Sequence, residues 1–167
     1  VMALRIRKQF LYENRKNVKA AIIVWDQQEK YLDRKHVIEA AWNWINMTIP
    51  VISSTFASFS RMCKNLGAET LGHLFIDEAG QALPQAAVGA IYRSRHVMVV
   101  GDPLQIKPVL TLDSNTLYML GEHFGVTEKY LSASASAQIL ADAASQYGFY
   151  RKQDKAEDSW VGIPLWV

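Results

Sequence analysis

Cysteine and long apolar runs are scarce in this chain of 167 residues. The single cysteine, Cys63, excludes a disulfide framework, and no apolar run approaches the roughly 20 residues of a membrane-spanning helix. We therefore expect a reducing, cytoplasmic setting and no membrane partner. The first residues, VMALRIRKQF, have neither an apolar signal core nor a small-residue cleavage site and begin with Val1. We expect a fragment of a longer protein.

The net charge of +2 is too small to indicate a polyanionic partner by itself. Residues 1–35 nevertheless carry nine Lys and Arg against four acidic residues, which leaves the remainder net negative. A basic helical arm of this kind can lie along a phosphate backbone. Solvated charges on a long surface helix explain the same residues, and we favour that interpretation.

Residues 1–46 contain neither proline nor glycine, and apolar residues mix with charged ones at helical spacing. This pattern predicts one or two helices. The segment 20–26 also has the composition of a strand, but helix is the preferred prediction. We therefore divide the chain into a helical segment, 1–46, and a second part, 47–167.

The second part has a different texture: short apolar runs closed by small or acidic residues, each followed by a helical pattern. This is the rhythm of an α/β domain with a parallel sheet flanked by helices. The runs predict strands at 49–54, 73–77, 96–101 and 162–167. The intervening stretches predict helices at 56–66, 83–94, 114–123 and 134–147. The charged stretch 151–159 predicts an exposed loop.

The second run ends in LFIDEAGQALPQ and delivers Asp77 and Glu78 to the tip of a predicted strand. Ligands of open parallel sheets collect beyond the carboxyl ends of the strands. Adjacent carboxylates there suit a phosphate site, because one can hold Mg²⁺ through its water shell while the other orients the attacking water. Acidic residues also end strands and cap helices for structural reasons alone.

The third run ends in VVGDPLQIKPV, where Gly101 permits an unusual turn and Pro103 and Pro108 stiffen the loop. The uncharged amide of Gln105 both donates and accepts hydrogen bonds, so it can sense a γ-phosphate without adding negative charge. An ordinary Gly-Asp-Pro turn is the structural alternative. The pairing with the acidic closure of the second run favours the functional interpretation.

The first run ends in ISSTFAS, which places several hydroxyl groups, among them Ser54 and Thr55, where a strand gives way to a helix. Hydroxyls and helix-start amides can bind a nucleic-acid backbone without reading its sequence. Ser and Thr are also routine helix N-caps. Taken alone, the capping interpretation is the stronger one.

In this order, PVISSTFAS, LFIDEAGQA and VVGDPLQIKPV resemble motifs Ic, II (Walker B) and III of superfamily-one helicases. The resemblance is to the branch that includes the nonsense-mediated-decay and Okazaki-fragment-processing helicases. It implies a partial RecA-like (P-loop NTPase) sheet, with residues 1–46 as a helical insertion ahead of motif Ic. It also implies a parent chain that binds ATP and Mg²⁺ and, with a second RecA-like domain, moves along single-stranded DNA or RNA.

The resemblance also implies roles for individual residues. Asp77 would bind Mg²⁺ through water, and Glu78 would be the catalytic base. Gln105 would contact the γ-phosphate of ATP and couple it to the bound strand. A supporting role would fall to Gln81 and to Asp102, the latter among the cofactor-binding residues.

On the nucleic-acid side, the resemblance implies that Ser54 and Thr55 touch the sugar-phosphate backbone of the bound strand. This role is carried by the match to motif Ic. It stands beside the capping interpretation of the same hydroxyls.

A P-loop motor needs G-x-x-x-x-G-K-[ST], whose amides, Lys and hydroxyl bind the phosphates and Mg²⁺. GAETLGHL, from Gly67 to Leu74, has the glycine spacing, but His73 and Leu74 replace the Lys and the hydroxyl. We therefore expect Walker A to be absent and the chain alone to be inactive. Two alternatives stay open: a non-catalytic, helicase-derived interaction module, and another P-loop ATPase without unwinding activity.

Overall fold

The computed structural model describes residues 1–101, 112–127, 130–131, 135–153 and 156–163. The chain forms two compact units, Val1–Thr70 and Leu71–Val167. The predicted division between residues 46 and 47 stays a prediction, since a compact unit need not coincide with an evolutionary domain. The predicted fold class is confirmed: the protein is mixed α/β, with N-terminal helices and a short parallel sheet compatible with a partial RecA-like fold.

The first unit is helical, as the absence of proline and glycine predicts. Its elements are α1 (Met2–Glu13), α2 (Arg15–Asp26), a short 3-10 helix (Gln28–Tyr31), α3 (Lys35–Thr48) and α4 (Phe56–Met62). The segment 20–26 lies in α2, which confirms helix over strand. One or two helices are predicted before residue 47, and the structure has three α-helices there. The chain turns at Asn14 and again between residues 27 and 34, which divides the predicted helical segment.

Helices α2 and α3 pack closely, and small side chains at the contact allow the approach. Ala21 and Ala41 are buried beside Trp42, whose ring meets the edge of Trp25 at a centroid distance of 6.1 Å. The guanidinium of Arg7 donates to the carbonyl oxygens of Met47 and Thr48, at 2.9 and 2.6 Å. An α1 side chain thus satisfies free carbonyls at the end of α3.

The strand predicted at 49–54 does not form. Residues 49–55 belong to no helix or strand, and Val51 is 80% exposed. A strand exists through hydrogen bonds to a neighbouring strand. In the described part of the chain, the ladders join only other segments, so the apolar run 49–54 has no strand partner there.

The second unit begins with β1 (Leu71–Ile76), α5 (Pro84–Tyr92) and β2 (Ser94–Val99). The strands pair in parallel, with Phe75 opposite Met98, so the three elements form a βαβ unit. The strand predictions at 73–77 and 96–101 are confirmed with earlier starts. Pro84 occupies the first turn of α5, where its missing N–H costs no hydrogen bond.

Coverage of the parallel strands is less complete than their composition predicts. Phe75 is 64% exposed, and Val97, Met98 and Val100 are also exposed. Only Ile76 of β1 is fully buried. Helices α5 and α7 contact β2, but in the described residues they do not enclose both faces of the sheet. The expectation of helices covering both sides of these strands is therefore not met there.

The remaining elements are α6 (Ser114–Phe124), α7 (Ala137–Ala144), β3 (Gly148–Gln153) and β4 (Ala156–Gly162). Strands β3 and β4 form an antiparallel hairpin, so the predicted loop at 151–159 is wrong. Ladder hydrogen bonds use the backbone, and a charged composition does not prevent them. Of the strand predicted at 162–167, Gly162 ends β4 and residues 164–167 lie outside the described residues. Among described residues, no helix has the length and apolarity needed to cross a bilayer.

Candidate active site

The end of β1 presents two carboxylates to solvent. Ile76 and Ala79 are buried, at 3% and 0% exposure, whereas Asp77 and Glu78 between them are exposed. We call residues 77–82, which follow the strand, the carboxylate turn. The buried residues Ile76 and Ala79 flank the acidic pair and fix its backbone, while both acidic side chains project outward. The strand tip thus offers negative charge at the sheet edge where ligands collect.

Local hydrogen bonds shape the carboxylate turn. Asp77 Oδ1 accepts from the backbone N–H of Glu78 at 3.0 Å, and the Glu78 carbonyl accepts from the Gln81 N–H at 2.9 Å. The side chain of Gln81 donates through Nε2 to Glu78 Oε2 at 3.2 Å. Gln81 therefore holds the Glu78 carboxylate with a neutral donor and leaves its charge in place.

The backbone of Glu78 is left-handed, with φ at 52°. For a residue with a Cβ this conformation costs about 1–2 kcal/mol relative to the right-handed region. Such a conformation persists where the surrounding structure determines it, and it concentrates at functional sites. The strained residue here is the one to which the family resemblance assigns the catalytic proton transfer.

The end of β2 holds one side of the carboxylate turn. The Val100 N–H donates to the Ile76 carbonyl at 2.8 Å, and the Val100 carbonyl accepts from the Ala79 N–H at 3.0 Å. Gly101 follows so closely that a Cβ there would lie 2.9 Å from the Ala79 nitrogen and 3.2 Å from that of Gly80. Only glycine fits this approach without a shift. The ends of β1 and β2 therefore lie side by side at one edge of the sheet.

Gln105 and Asp102, the other two residues assigned to the nucleotide site, lie outside the described residues. Their roles stay predictions. Gly101, directly before Asp102, is the last described residue of this segment, and it lies against the carboxylate turn.

The start of α7 holds the other side of the turn, a contact that sequence reasoning missed. The Ala137 N–H donates to the Ala82 carbonyl at 2.8 Å, and the Gln138 N–H donates to the Ala79 carbonyl at 3.2 Å. Ser136 caps the helix by accepting from the Ile139 N–H. The capping serine was a visible signal for the start of α7, but nothing in the sequence showed what that start would touch.

Ser54 and Thr55 lie in the first unit, at the start of α4. Thr55 is its N-cap, with Oγ1 accepting from the Ser58 N–H at 3.3 Å, and Ser54 Oγ donates to the Thr55 carbonyl at 3.0 Å. Both side chains are exposed. The capping interpretation of Thr55 is correct, and contact of either residue with nucleic acid stays a prediction.

The donor set at the carboxylate turn fits a hydrated magnesium ion. The described residues contain no group of three or more His, Cys, Asp or Glu side chains that could enclose a metal. Mg²⁺ dehydrates reluctantly and typically uses one or two carboxylates with several waters. Exposed Asp77 and Glu78 suit that mode of binding, while a dehydrated, fully protein-bound metal does not suit this part of the chain.

The glycine pair of the Walker-like stretch does not form a phosphate loop. Gly72 lies inside β1, together with His73 and Leu74, and Thr70 Oγ1 donates to the Gly67 carbonyl at 3.1 Å. A phosphate loop leads from a strand into a helix, whereas this one leads into a strand. Residues 71–74 of the stretch therefore belong to the sheet.

Fold and site together define an α/β domain with a carboxylate pair at the tip of a parallel strand. The model of a protein family described as an AAA domain matches residues 4–112, well over half of the chain. The chain therefore belongs to this AAA domain family, a domain of superfamily-one helicases. No curated protein and no solved structure matches it. Because the match begins at residue 4, it includes the N-terminal helices as well as the carboxylate turn.

Proposed function

We propose that this chain supplies the magnesium-binding and catalytic carboxylates of an ATP-dependent helicase motor that moves along single-stranded DNA or RNA. One observation carries the proposal: in a chain of this family, Asp77 and a strained Glu78 project from a fixed turn at the carboxyl end of a parallel strand. The branch proposed is that of the nonsense-decay and Okazaki-processing helicases.

The residues of the turn divide the chemistry between them. Mg²⁺ bound with ATP would offset the charge of the phosphates. Asp77 would hold the ion through its water shell. Glu78 accepts the proton of the attacking water. The side-chain amide of Gln81 orients the Glu78 carboxylate for this transfer. Gln105 and Asp102 would complete the nucleotide side of the site.

The proposed partners follow from the same assignment. Ser54 and Thr55, exposed at the start of α4, would contact the sugar-phosphate backbone of the bound strand. A second RecA-like domain of the same parent chain would close over the nucleotide. ATP and Mg²⁺ are the proposed cofactors.

ATP hydrolysis tests the proposal directly. Because the Walker-like stretch lacks the Lys and the hydroxyl and leads into a strand, the chain alone should show no turnover above background. In the complete parent chain, ATP hydrolysis stimulated by single-stranded nucleic acid should fall in Asp77→Asn to near background. The matched control is Asp113→Asn, an exposed aspartate outside the turn. Multiple turnovers by the chain alone, lost in Glu78→Gln, would reveal a phosphate site elsewhere. Full activity of Asp77→Asn would refute the metal assignment.

The exposed apolar side of the parallel strands favours a second candidate, a non-catalytic interaction module derived from a helicase. Phe75 and Met98 are paired across β1 and β2 and both are exposed. Exposed apolar patches often mark contact surfaces. The coding sequence upstream of Val1 separates the two candidates: a Walker A motif there supports the motor, and an authentic start codon near Val1 supports the module.

A P-loop ATPase without unwinding activity is distinguished by a strand-displacement assay.

A further inference from the structure

Helix α7 carries no residue that the family resemblance assigns to a motif, yet its first turn is bonded to the carboxylate turn. We propose that the start of α7 positions Glu78, with the backbone N–H groups of Ala137 and Gln138 as the positioning groups. The proposal rests on the proposed function of Glu78 but concerns a different part of the chain. It makes residues 135–144 a functional part of the site.

The contact is direct. The two N–H groups donate to the carbonyls of Ala82 and Ala79, at 2.8 and 3.2 Å, and both Ala79 and Ala137 are completely buried. Each bond therefore has one fully buried partner, which limits competition from water. The first N–H groups of a helix have no partner within the helix and are free to bind elsewhere. Here they bind the turn on either side of Gln81, the residue that orients the Glu78 carboxylate.

The left-handed backbone of Glu78 explains why positioning is needed. A chain segment with this conformation relaxes unless its neighbours prevent it. The backbone of Ala79 is fixed through both of its polar groups. Its N–H donates to the Val100 carbonyl, and its carbonyl accepts from the Gln138 N–H. The end of β2 and the start of α7 therefore hold the turn from two sides. Loss of either side should release Glu78.

Helix α7 is itself anchored at a second point. The Asp142 carbonyl accepts from Trp160 Nε1 at 3.0 Å, and Asp142 Oδ1 accepts from the Gly162 N–H at 2.9 Å. The hairpin β3–β4 thus fixes the helix near its carboxyl end. A helix held at both ends transmits position better than one anchored only at the turn.

A proline at position 137 removes one positioning group selectively. Ala137 is the first residue of α7, a position that tolerates proline, and Ser136 before it is extended, at φ −143° and ψ 167°. Ala137→Pro deletes the N–H that binds Ala82 and leaves the helix its own hydrogen bonds. The matched control is Ser114→Pro, an exposed first residue of α6. Pro84 already occupies the equivalent place in α5.

Two readouts separate positioning from general stability. Amide hydrogen exchange at Ala79 and Gln81 should accelerate about fivefold in Ala137→Pro, as expected for one lost hydrogen bond, and stay unchanged in Ser114→Pro. Titration with Mn²⁺ alone should broaden the amide signals of Asp77 and Glu78. The midpoint of that titration should rise about fivefold in Ala137→Pro and not in the control. Unchanged exchange and an unchanged midpoint in Ala137→Pro would overturn the proposal.

The buried setting of Ala137 calls for a second variant. Ser136→Ala removes the cap of α7 without adding a ring, and Ser136→Thr restores the capping hydroxyl. If Ala137→Pro fails to fold, faster exchange at Ala79 in Ser136→Ala, reversed in Ser136→Thr, supports the proposal, and its absence refutes it. If Mn²⁺ broadens no signal of the turn even in the unmodified chain, the metal assignment fails, while the exchange rates still decide the role of α7.

Discussion

Among the residues that the structure describes, two glutamates have a left-handed backbone: Glu69 with φ at 55° and Glu78 with φ at 52°. Both are exposed. Around Glu69, Thr70 Oγ1 donates to the Gly67 carbonyl within the turn. Around Glu78 the turn is bonded to two other elements, β2 and α7. At Glu78, tertiary hydrogen bonds from β2 and α7 accompany the left-handed angle and hold the residue in that conformation.

The largest expected difference between the two glutamates is in catalysis. In the complete parent, Glu78→Gln should leave ATP binding largely intact and lower hydrolysis at least ~10²-fold, as for the loss of a general base. Glu69→Gln, the matched control, should hydrolyse ATP at the normal rate. Steady-state turnover at saturating ATP and nucleic acid measures both. Normal turnover in Glu78→Gln would remove Glu78 from the mechanism.

Gln105→Ala should instead weaken the stimulation of hydrolysis by nucleic acid.

The next effect concerns the support that the end of β2 gives to the carboxylate turn. Gly101→Ala should lower the free energy of unfolding by about 1–3 kcal/mol, because the new Cβ meets backbone atoms that cannot move aside cheaply. Gly72→Ala is the control, since no atom lies within 4 Å of a Cβ at that position. Urea unfolding of both variants gives the comparison. Equal stability of the two would show that the close approach of Gly101 is unimportant.

Relief of strain should be similar at the two glutamates. Glu78→Gly and Glu69→Gly should each raise the free energy of unfolding by about 0.5–1 kcal/mol, the strain removed less the larger chain entropy of glycine. Urea unfolding of both variants measures the two changes. Destabilisation by Glu69→Gly would show that its left-handed backbone is not strained.

The smallest effect lies outside both turns, at the cap of α6. The Thr116 hydroxyl and N–H donate to the Asp113 carboxylate and lower the pKa of Asp113 from its ordinary value of 3.8. Because the folded state has the lower pKa, the cap stabilises α6 fully above pH 3.8 and is lost as the pH falls below it. The protection factor of the Leu117 amide, the ratio of its intrinsic exchange rate at each pH to the observed rate, should therefore fall with acid, and Asp113→Ala should abolish this dependence. Exchange at Ala79 should be insensitive to Asp113→Ala.

The βαβ unit and the exposure of its carboxylates were predictable because each rests on a short stretch of sequence. The apolar runs indicate β1 and β2, and Pro84 and Asp113 mark the starts of α5 and α6. The strands begin earlier than predicted because pairing extends back to Leu71 opposite Ser94. Local signals of this kind are what a sequence displays directly.

The contacts that complete the site were not predictable, because they join segments distant in sequence. Nothing in SASAQIL indicates that Ala137 would bond to Ala82. The strain at Glu78 is likewise invisible, since Glu has no preference for that backbone. The apolar run 49–54 has the composition of a strand, but composition does not supply a neighbouring strand. The hairpin β3–β4 shows the converse, a ladder formed by residues with a charged composition.

The chain order of the two supports has a consequence for the rate of folding. Strands β1 and β2 are separated only by the carboxylate turn and α5, so their pairing closes a short loop, whereas α7 reaches the turn from far along the chain. Short-range contacts tend to form before long-range ones. We expect the turn to exist first as part of the βαβ unit and to reach its final shape when α7 docks. Variants at the start of α7 should then speed unfolding and leave the folding rate nearly unchanged.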